Sequence, residues 1–256
     1  MSMETPPTLG HEAPFAGARA SRRSGALEGA LLGGGAVVIW NDVADDGRER
    51  FYEWHDKEHM PERLALPGFR RGRRFARRGH SPEWLTLYEA DDVAVVTSPE
   101  YLARLNAPTP LTVSTLRYFR NTSRAACRVV HSIGSSTGGH VLTLRLVVSG
   151  VGSEAMSSYF REEAFPRAMD QTGVVACHLL AADASASFVD TAESNTRKFD
   201  VPSWIVLCET TNPGAADKAR ALLEGPALHS RGATVREDAA VYALEICRLS
   251  LPALRI

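Results

Sequence analysis

One pattern of residues occurs twice in this chain, and this repetition constrains the fold more than any other feature. Four pairs of residues share an offset of 105 positions, namely Trp54 and Tyr159, Glu58 and Glu163, Pro61 and Pro166, and Gly68 and Gly173. The segment WLTLYEA at residues 84–90 returns as WIVLCET at residues 204–210, after an offset of 120 positions. The sequence therefore predicts two copies of one structural unit.

The first copy alternates the signals of strands and helices. Apolar runs and alternating patterns predict strands, whereas a cap residue followed by Pro predicts the start of a helix. Pro61 disfavours a helical conformation in the residue before it, so the first helix is expected to end near Met60. The predicted elements are a strand at 36–40, a helix from Asp46 to Met60, strands at 69–78 and 84–90, a helix after Ser98 and Pro99, and a strand within 113–130.

The second copy repeats this order of elements. Its helix after Asn212 and Pro213 begins with the same cap and proline pair as the helix after Ser98 and Pro99. The predicted elements are a strand at 141–148, a helix from Ser153 to Phe165, strands at 174–181 and 204–210, a helix at 216–228 and a strand at 241–249. Each half therefore has the order β-α-β-β-α-β.

A unit of this kind forms a four-stranded antiparallel sheet with both helices on one face, and the other face needs a partner. The sequence WHDKEHMPERLALPGFRRGRR at 54–74, with WLTLYEA and with SPEYLARL at 98–105, resembles the dimeric α/β-barrel superfamily and, within it, the EthD-like proteins. The resemblance implies an α+β fold in which two ferredoxin-like repeats pack sheet to sheet. A tandem duplication would place both repeats in one chain, as an intramolecular dimeric α/β barrel.

The predicted domain organisation follows the two copies. Residues 1–33 are expected to form a disordered tail, because they are rich in Gly, Ala, Pro and Ser. The first repeat covers 34–131 and carries the site, 132–139 form a linker, and 140–256 form a second, degenerate repeat. Arg22 and Arg23 precede an apolar stretch that imitates a signal peptide, but this stretch continues directly into a strand.

Composition excludes several classes of partner. The chain has a net charge of -1, which gives no electrostatic basis for binding nucleic acid or an anionic membrane. Its four cysteines are widely spaced in the sequence and are expected to be isolated, buried thiols of a reducing compartment, so we expect a cytoplasmic protein. The expected partner is a small-molecule ligand. Whether such pseudo-dimers associate further into a homodimer stays open.

The first helix contains the candidate catalytic residues His55, Glu58 and His59. Residues four apart lie one helical turn apart, so the two histidines are neighbours, and an imidazole can accept or donate a proton near neutral pH. The alternative interpretation is that His59 only caps the helix. In the second copy Phe160 replaces His55 and Ala164 replaces His59. The fold therefore does not require these histidines, and the predicted site lies in the first repeat.

The string His55-x-x-Glu58-His59 also matches an inverted zinc-protease motif. Pro61 interrupts the helix at once, and the sequence offers no identifiable third ligand, so no metal site is predicted. The resemblance includes haem-degrading enzymes as well as cofactor-independent ones, and a haem would show as a Soret band. We expect no cofactor.

Four further residues are candidates for ligand binding. The strand FRRGRRFARR is dense in arginine, and Arg71 or Arg73 would hold an anionic group through bidentate contacts, unless both pair with neighbouring carboxylates. Trp54 and Tyr88 would line a pocket for a planar molecule, although Trp54 also suits core packing because Tyr159 matches it.

These residues predict a cofactor-independent enzyme that acts on a small, largely apolar or aromatic metabolite. The resemblance implies chemistry of the isomerase, dehydratase or monooxygenase type, with His59 as general acid or base and with Glu58 and His55 orienting it. The alternative is a non-catalytic module of the same fold that binds a small molecule or mediates assembly.

Overall fold

The computed structural model describes residues 30–148, 153–188, 191–192, 201–236 and 239–250. Its strands are β1 Gly35–Val43, β2 Phe69–Ala76, β3 Trp84–Ala90, β4 Phe119–Gly134, β5 His140–Val148, β6 Val174–Ala182, β7 Trp204–Thr210, β8 Ala233–Val235 and β9 Ala240–Leu249. Its α-helices are α1 Arg48–Trp54, α2 Met60–Leu64, α3 Pro99–Asn106, α4 Pro110–Leu116, α5 Ser153–Tyr159, α6 Phe165–Met169, α7 Ala184–Ser187, α8 Pro213–Leu223 and α9 Pro226–His229. Within these residues, no helix is both long enough and apolar enough to cross a membrane.

The strands close into an eight-stranded antiparallel barrel. The first half has the strand order β4-β1-β3-β2 and the second half has β6-β7-β5-β9, so both halves share the ferredoxin-like arrangement. The halves meet where β2 pairs with β9 and where β4 pairs with β6. The short strand β8 pairs with the end of β5 outside this ring. The predicted fold, two ferredoxin-like repeats in one barrel, is confirmed.

Successive side chains of a strand point to opposite faces of the sheet, so the protein has one apolar core inside the barrel and others between the sheet and the helices. Even-numbered residues of β1, such as Val38 and Trp40, pack inside the barrel with residues of both halves. The odd-numbered Val37 packs on the other face, against α2 and α3. Each half therefore has a layer of helices outside the barrel, and the candidate residues of the first half lie between its helices and the sheet.

The first helix continues past Pro61, contrary to the sequence prediction that it ends near Met60. A π-helical turn, His55–His59, joins α1 to α2, and the N–H of Met60 donates to the carbonyl oxygen of His55. Because Pro61 stands in the first turn of α2, its missing N–H is tolerated there. The second half has the same device, a π turn at Phe160–Ala164 before Pro166.

Other predicted boundaries are partly correct. The caps are confirmed, because Ser98 accepts from the N–H of Tyr101 and Asn212 accepts from the N–H of Ala215. The expected cap at Asp46 does not form, since α1 follows a 3-10 turn at Asp45–Gly47 and makes no side-chain cap bond.

Two further boundaries differ from the prediction. Val113 was expected in a strand, but it lies in α4, which Thr109 caps. The helix expected at 216–228 is split, because α8 ends at Leu223 and Pro226 starts α9.

The ends of the chain and the cysteines also bear on the predictions. Residues 1–29 of the expected tail lie outside the described residues, whereas Leu31 is buried at one end of the barrel. The cysteines are not all isolated and buried. Cys247 is exposed, and Cys177 lies opposite Cys208 on neighbouring strands with their sulfur atoms 3.6 Å apart.

Candidate active site

His59 lies at the centre of the space between the first helix and the sheet. The π turn places its ring against Trp54, with ring centroids 4.2 Å apart and planes 31° apart. The indole N–H of Trp54 donates to the hydroxyl of Thr112 at 2.9 Å, which fixes the indole. Only 9% of His59 is exposed. The imidazole is thus held in one place by packing on a fixed aromatic ring.

Two small cavities share His59 as part of their walls. The first cavity has a volume of about 40 Å³ and the second about 20 Å³. A water molecule needs roughly 10–15 Å³ on this measure, so the first cavity has room for about three water molecules. Ile39, His59 and Tyr88 line both cavities. The predicted residues His59, Tyr88 and Trp54 therefore come together, because Trp54 lines the second cavity.

His55 is buried beside the second cavity, and its contacts determine its state. Arg74 donates to Nδ1 at 2.9 Å, so the remaining proton of a neutral ring is on Nε2, which faces the hydroxyl oxygen of Tyr88 at 3.4 Å. Burial, together with the positive charges of Arg74 and Arg248, holds the pKa of His55 well below its usual value of 6.5. His55 is therefore a neutral imidazole that bonds to Tyr88.

Glu58 contacts α4. Its carboxylate accepts hydrogen bonds from the hydroxyls of Thr109 at 2.5 Å and of Thr112 at 3.1 Å. Since Thr112 also accepts from Trp54, Glu58 supports His59 through this chain of bonds and the indole ring. The described contacts thus give Glu58 an anchoring position.

Arg71 and Arg73 lie on the barrel side of the sheet, away from the cavities beside His59. Arg71 forms a bidentate pair with Glu89, and Arg73 bonds to both Glu89 and Glu209 at 2.9–3.0 Å. β2 has a bulge between Phe69 and Arg71, which explains why these side chains lie on opposite faces of the sheet. Phe69 packs on the helix side, whereas Arg71 lies on the barrel side. The structure therefore does not bring these arginines together with His59.

The first cavity contains polar residues that sequence reasoning missed, namely Arg63, Tyr101 and Arg124. Arg124 donates to the hydroxyl of Tyr101 at 3.2 Å, and the guanidinium of Arg63 lies over the Tyr101 ring, 5.6 Å from its centroid. Arg63 follows His59 by four positions, which puts both on one face of a helix. The sequence prediction ended this helix near Met60, so it did not place Arg63 on the same helical face as His59.

The described residues also bear on metal binding. Both nitrogens of His55 already have partners, one of them the cation Arg74, and Glu58 bonds to Thr109 and Thr112. The motif His55-x-x-Glu58-His59 therefore does not present a ligand set. Among the described residues, no group of three His, Cys, Asp or Glu side chains is placed to hold a metal ion.

Comparison with known proteins supports the fold. No protein-family model matches this sequence, and no curated protein gives a significant match. Among solved structures, the chain is similar to a candidate chlorite dismutase, with a TM-score of 0.52, 9% identity, and coverage of 84% of this chain and 96% of that one. Chlorite dismutase from Candidatus Nitrospira defluvii in complex with imidazole has a TM-score of 0.51, 10% identity, and coverage of 83% and 91%.

A candidate monooxygenase from Lactobacillus acidophilus is similar at a TM-score of 0.47 and 13% identity, with coverage of 85% of this chain and 96% of that one. Identities this low show only a shared fold. The chlorite dismutase structures and the strand order together show that this chain has the dimeric α/β-barrel fold.

The superfamily that this sequence resembles includes haem-degrading enzymes, so the size of the cavities beside His59 bears on haem binding. Pockets that hold ligands of that size measure about 300–1,000 Å³. The cavities beside His59 measure about 40 and 20 Å³. In the second half, the matching Ala164 is packed among Phe160, Phe165 and Leu179 in a continuous apolar core. The two cavities beside His59 are therefore too small to hold a haem.

Proposed function

We propose that the first repeat binds a small, largely apolar or aromatic metabolite beside His59, and that His59 transfers a proton to or from it. One observation carries this proposal. His59 is buried in a wall shared by two cavities, whereas the matching residue of the second repeat is Ala164 in a packed core. Because the second repeat folds without the imidazole, we infer that His59 is kept for chemistry.

The neighbouring residues would each support this role. Trp54 fixes the plane of the imidazole, and neutral His55 fixes the hydroxyl of Tyr88, so that two polar groups face the bound molecule. A positioned imidazole contributes roughly 10²–10⁴-fold to a proton transfer. We therefore propose an isomerase, a dehydratase or a monooxygenase type of reaction that needs no bound cofactor, with molecular oxygen as the co-substrate in the case of a monooxygenase, in an EthD-like protein with a duplicated repeat. We expect Arg71 and Arg73 to stabilise the barrel.

The test is a comparison of turnover in three forms of the protein. The wild type is first screened by thermal shift against small aromatic and aliphatic metabolites, and each stabilising compound is then assayed for turnover. We expect His59→Ala to retain binding and to lose at least about 100-fold in kcat. His229→Ala is the control, because His229 is exposed in α9. Equal kcat values for His59→Ala and the wild type would refute the catalytic role.

A second candidate function is a non-catalytic binding module of the same fold. The small volume of the cavities favours it, because about 40 Å³ leaves little room for a reacting molecule without local opening. In this case a ligand would stabilise the wild type and His59→Ala equally, and no stabilising compound would be converted. The thermal-shift and turnover measurements together separate the two functions.

A further inference from the structure

We propose that Arg74 and Glu245 are positioning residues that fix the proton of His55 on one ring nitrogen. His55 in turn bonds to the hydroxyl of Tyr88, which lines both cavities beside His59. Because Glu245 lies in β9, the second repeat would complete the site of the first. This role goes beyond the proposed function and rests on it only in that Tyr88 faces the bound molecule. We call the four residues, Glu245, Arg74, His55 and Tyr88, the positioning chain.

Arg74 determines which nitrogen of His55 carries the proton. One N–H of its Nη1 points at Nδ1 of His55 at 2.9 Å. A guanidinium only donates hydrogen bonds, so Nδ1 must accept, and a neutral ring then carries its proton on Nε2. Nε2 faces the hydroxyl oxygen of Tyr88 at 3.4 Å. His55 therefore donates to Tyr88 because Arg74 occupies its other nitrogen.

Two carboxylates hold the buried guanidinium of Arg74 in this orientation. Asp56 of the π turn accepts from Nη1 at 2.5 Å, and Glu245 accepts from Nε at 2.8 Å. Nη2 lies 3.5 Å from the second oxygen of Asp56, so the two-bond pair that arginine commonly forms with a carboxylate is incomplete here. The bond to Glu245 thus keeps one N–H of Nη1 directed at His55.

A bulge in β9 brings Glu245 to Arg74. Arg74 lies opposite Ile246, and Phe75 lies opposite Leu244. Glu245 is therefore the extra residue of the bulge, and a bulge changes the direction in which a side chain of its strand points. In this way a side chain of the second repeat reaches the site of the first.

The second repeat has a bulge at the same place, with an apolar residue in it. Where β4 pairs with β6, the extra residue is Val130. This bulge lies opposite Leu179, which matches Arg74 at an offset of 105 positions. Val130 therefore takes the place of Glu245, and Leu179 takes the place of Arg74.

Every member of the positioning chain has an apolar counterpart in the second half. A polar group left without its partner in a core costs free energy, so a chain of this kind is either kept whole or replaced whole. Because the second half packs with the apolar set, the fold does not require the polar one, and we infer that the polar set serves the site. The counterparts of Glu245, Arg74, His55 and Tyr88 are Val130, Leu179, Phe160 and Cys208, which pack in one apolar core.

The test measures the tautomer of His55 by long-range 1H–15N NMR of the imidazole nitrogens in the full-length protein. The variant His55→Gln assigns the signals. We expect the wild type to carry the proton on Nε2. Arg74→Leu removes the donor and leaves Nδ1 facing the carboxylate of Asp56 at 4.0 Å, so the proton should move to Nδ1. Arg74→Lys keeps a cationic donor and should keep the proton on Nε2.

Glu245→Gln tests the next link, and it is needed because Arg74→Leu leaves two carboxylates without their cation and can fail to fold. Without the charge of Glu245, the guanidinium should turn to complete its pair with Asp56, so that His55 shows both tautomers. Arg78→Gln is the matched control. Arg78 also contacts Glu245, at 2.6 Å, but its described ion pairs are with Glu245 and Glu83, so the wild-type tautomer should remain. The wild-type tautomer in Glu245→Gln, or in a folded Arg74→Leu, would overturn the proposal.

Turnover shows whether the positioning chain acts through Tyr88. With a compound that the wild type converts, Arg74→Leu should lower kcat by about 10- to 100-fold, because the hydroxyl is no longer held in place. In a Tyr88→Phe background the same change should alter kcat at most about twofold, because the hydroxyl is absent. Equal effects of Arg74→Leu in both backgrounds would overturn the proposal.

The tautomer of His55 does not depend on whether His59 is catalytic. A tautomer that changes in Arg74→Leu and Glu245→Gln, together with turnover that His59→Ala leaves unchanged, would support the positioning chain and refute the proposed function. Turnover that requires His59, together with the wild-type tautomer in both variants, would support the proposed function and overturn the positioning chain.

Discussion

His55 shows how a single buried side chain makes stability depend on pH. Burial and the charges of Arg74 and Arg248 hold its pKa well below 6.5 in the folded chain. The unfolded chain regains an ordinary imidazole, so below pH 6.5 it binds a proton that the folded chain does not bind. The free energy of unfolding should therefore fall as the pH decreases through and below 6.5.

We predict that replacing His55 by Gln reduces this pH dependence. The His55 contribution has a slope of at most about 1.4 kcal/mol per pH unit, which the amide of Gln cannot supply. Urea unfolding at pH 7.5, 6.5 and 5.5 measures the effect as the difference between wild type and His55→Gln. His229→Ala is the control, because His229 is exposed in α9 of the other half and does not line the cavities beside His59. If the free energy of unfolding depends on pH equally in wild type and in His55→Gln, the lowered pKa of His55 in the folded chain would be contradicted.

The π turn is the element that places His59, and it occurs in both halves at matching positions. Its carbonyl-to-amide bond spans five residues, from His55 to Met60 in the first half and from Phe160 to Phe165 in the second. A π turn equals one extra residue inserted into an α-helix. Since both halves keep it, it serves the fold as well as the site.

We predict that deleting exposed Lys57 destabilises the protein and also abolishes ligand binding. Without Lys57 the π turn closes into an ordinary α-helical turn, because the extra residue is gone. This changes the directions in which Glu58 and His59 point relative to Thr112 and Trp54. We expect a loss of more than about 2 kcal/mol in unfolding free energy. Deletion of exposed Glu162 in the second π turn is the matched control. It should cost similar stability and leave ligand binding intact, and equal loss of binding in both deletions would contradict the prediction.

Local signals explain which elements the sequence predicts well. Ser98 and Pro99 fix the start of α3 through one side-chain bond, and β3 is a short alternating run, so neighbouring residues alone determine both. The continuation of the helix past Pro61 depends instead on the π turn, which has no such local pattern. This is why Arg63 was not recognised as a cavity residue. The alternation in β2 was interrupted by a bulge that depends on pairing with β3.

Across the whole barrel, one buried network joins the two repeats. Arg73 of the first repeat bonds to its own Glu89 and to Glu209 of the second repeat. Glu209 also contacts Nε2 of His178 at 3.2 Å, and His178 is the residue that matches Arg73 at an offset of 105 positions. The two glutamates match as well, since each is the sixth residue of its strand, β3 or β7. The repeats therefore meet through matching side-chain pairs inside the barrel, Arg73 with Glu89 and His178 with Glu209, which the contact between Arg73 and Glu209 joins.

Glu209 makes this junction sensitive to acid. Burial alone would raise its pKa, but the hydrogen bond from His178 and the charge of Arg73 lower it from 4.5 to about 2. In the unfolded chain the carboxylate regains its ordinary pKa, so its stabilising contribution is complete above pH 4.5 and is lost as the pH falls towards 2. The shift corresponds to roughly 3 kcal/mol.

We predict that Glu209→Gln lowers the free energy of unfolding at pH 7 by about 2–4 kcal/mol, because buried Arg73 and His178 each lose a charged partner. The loss should shrink as the pH approaches 2, since protonation then removes the same charge from the wild type. Urea unfolding at pH 7, 4 and 2.5 tests both statements. Glu100→Gln is the control, because Glu100 is exposed in the first turn of α3. A constant difference between Glu209→Gln and wild type at all three pH values would show that Glu209 does not carry its charge in the folded barrel.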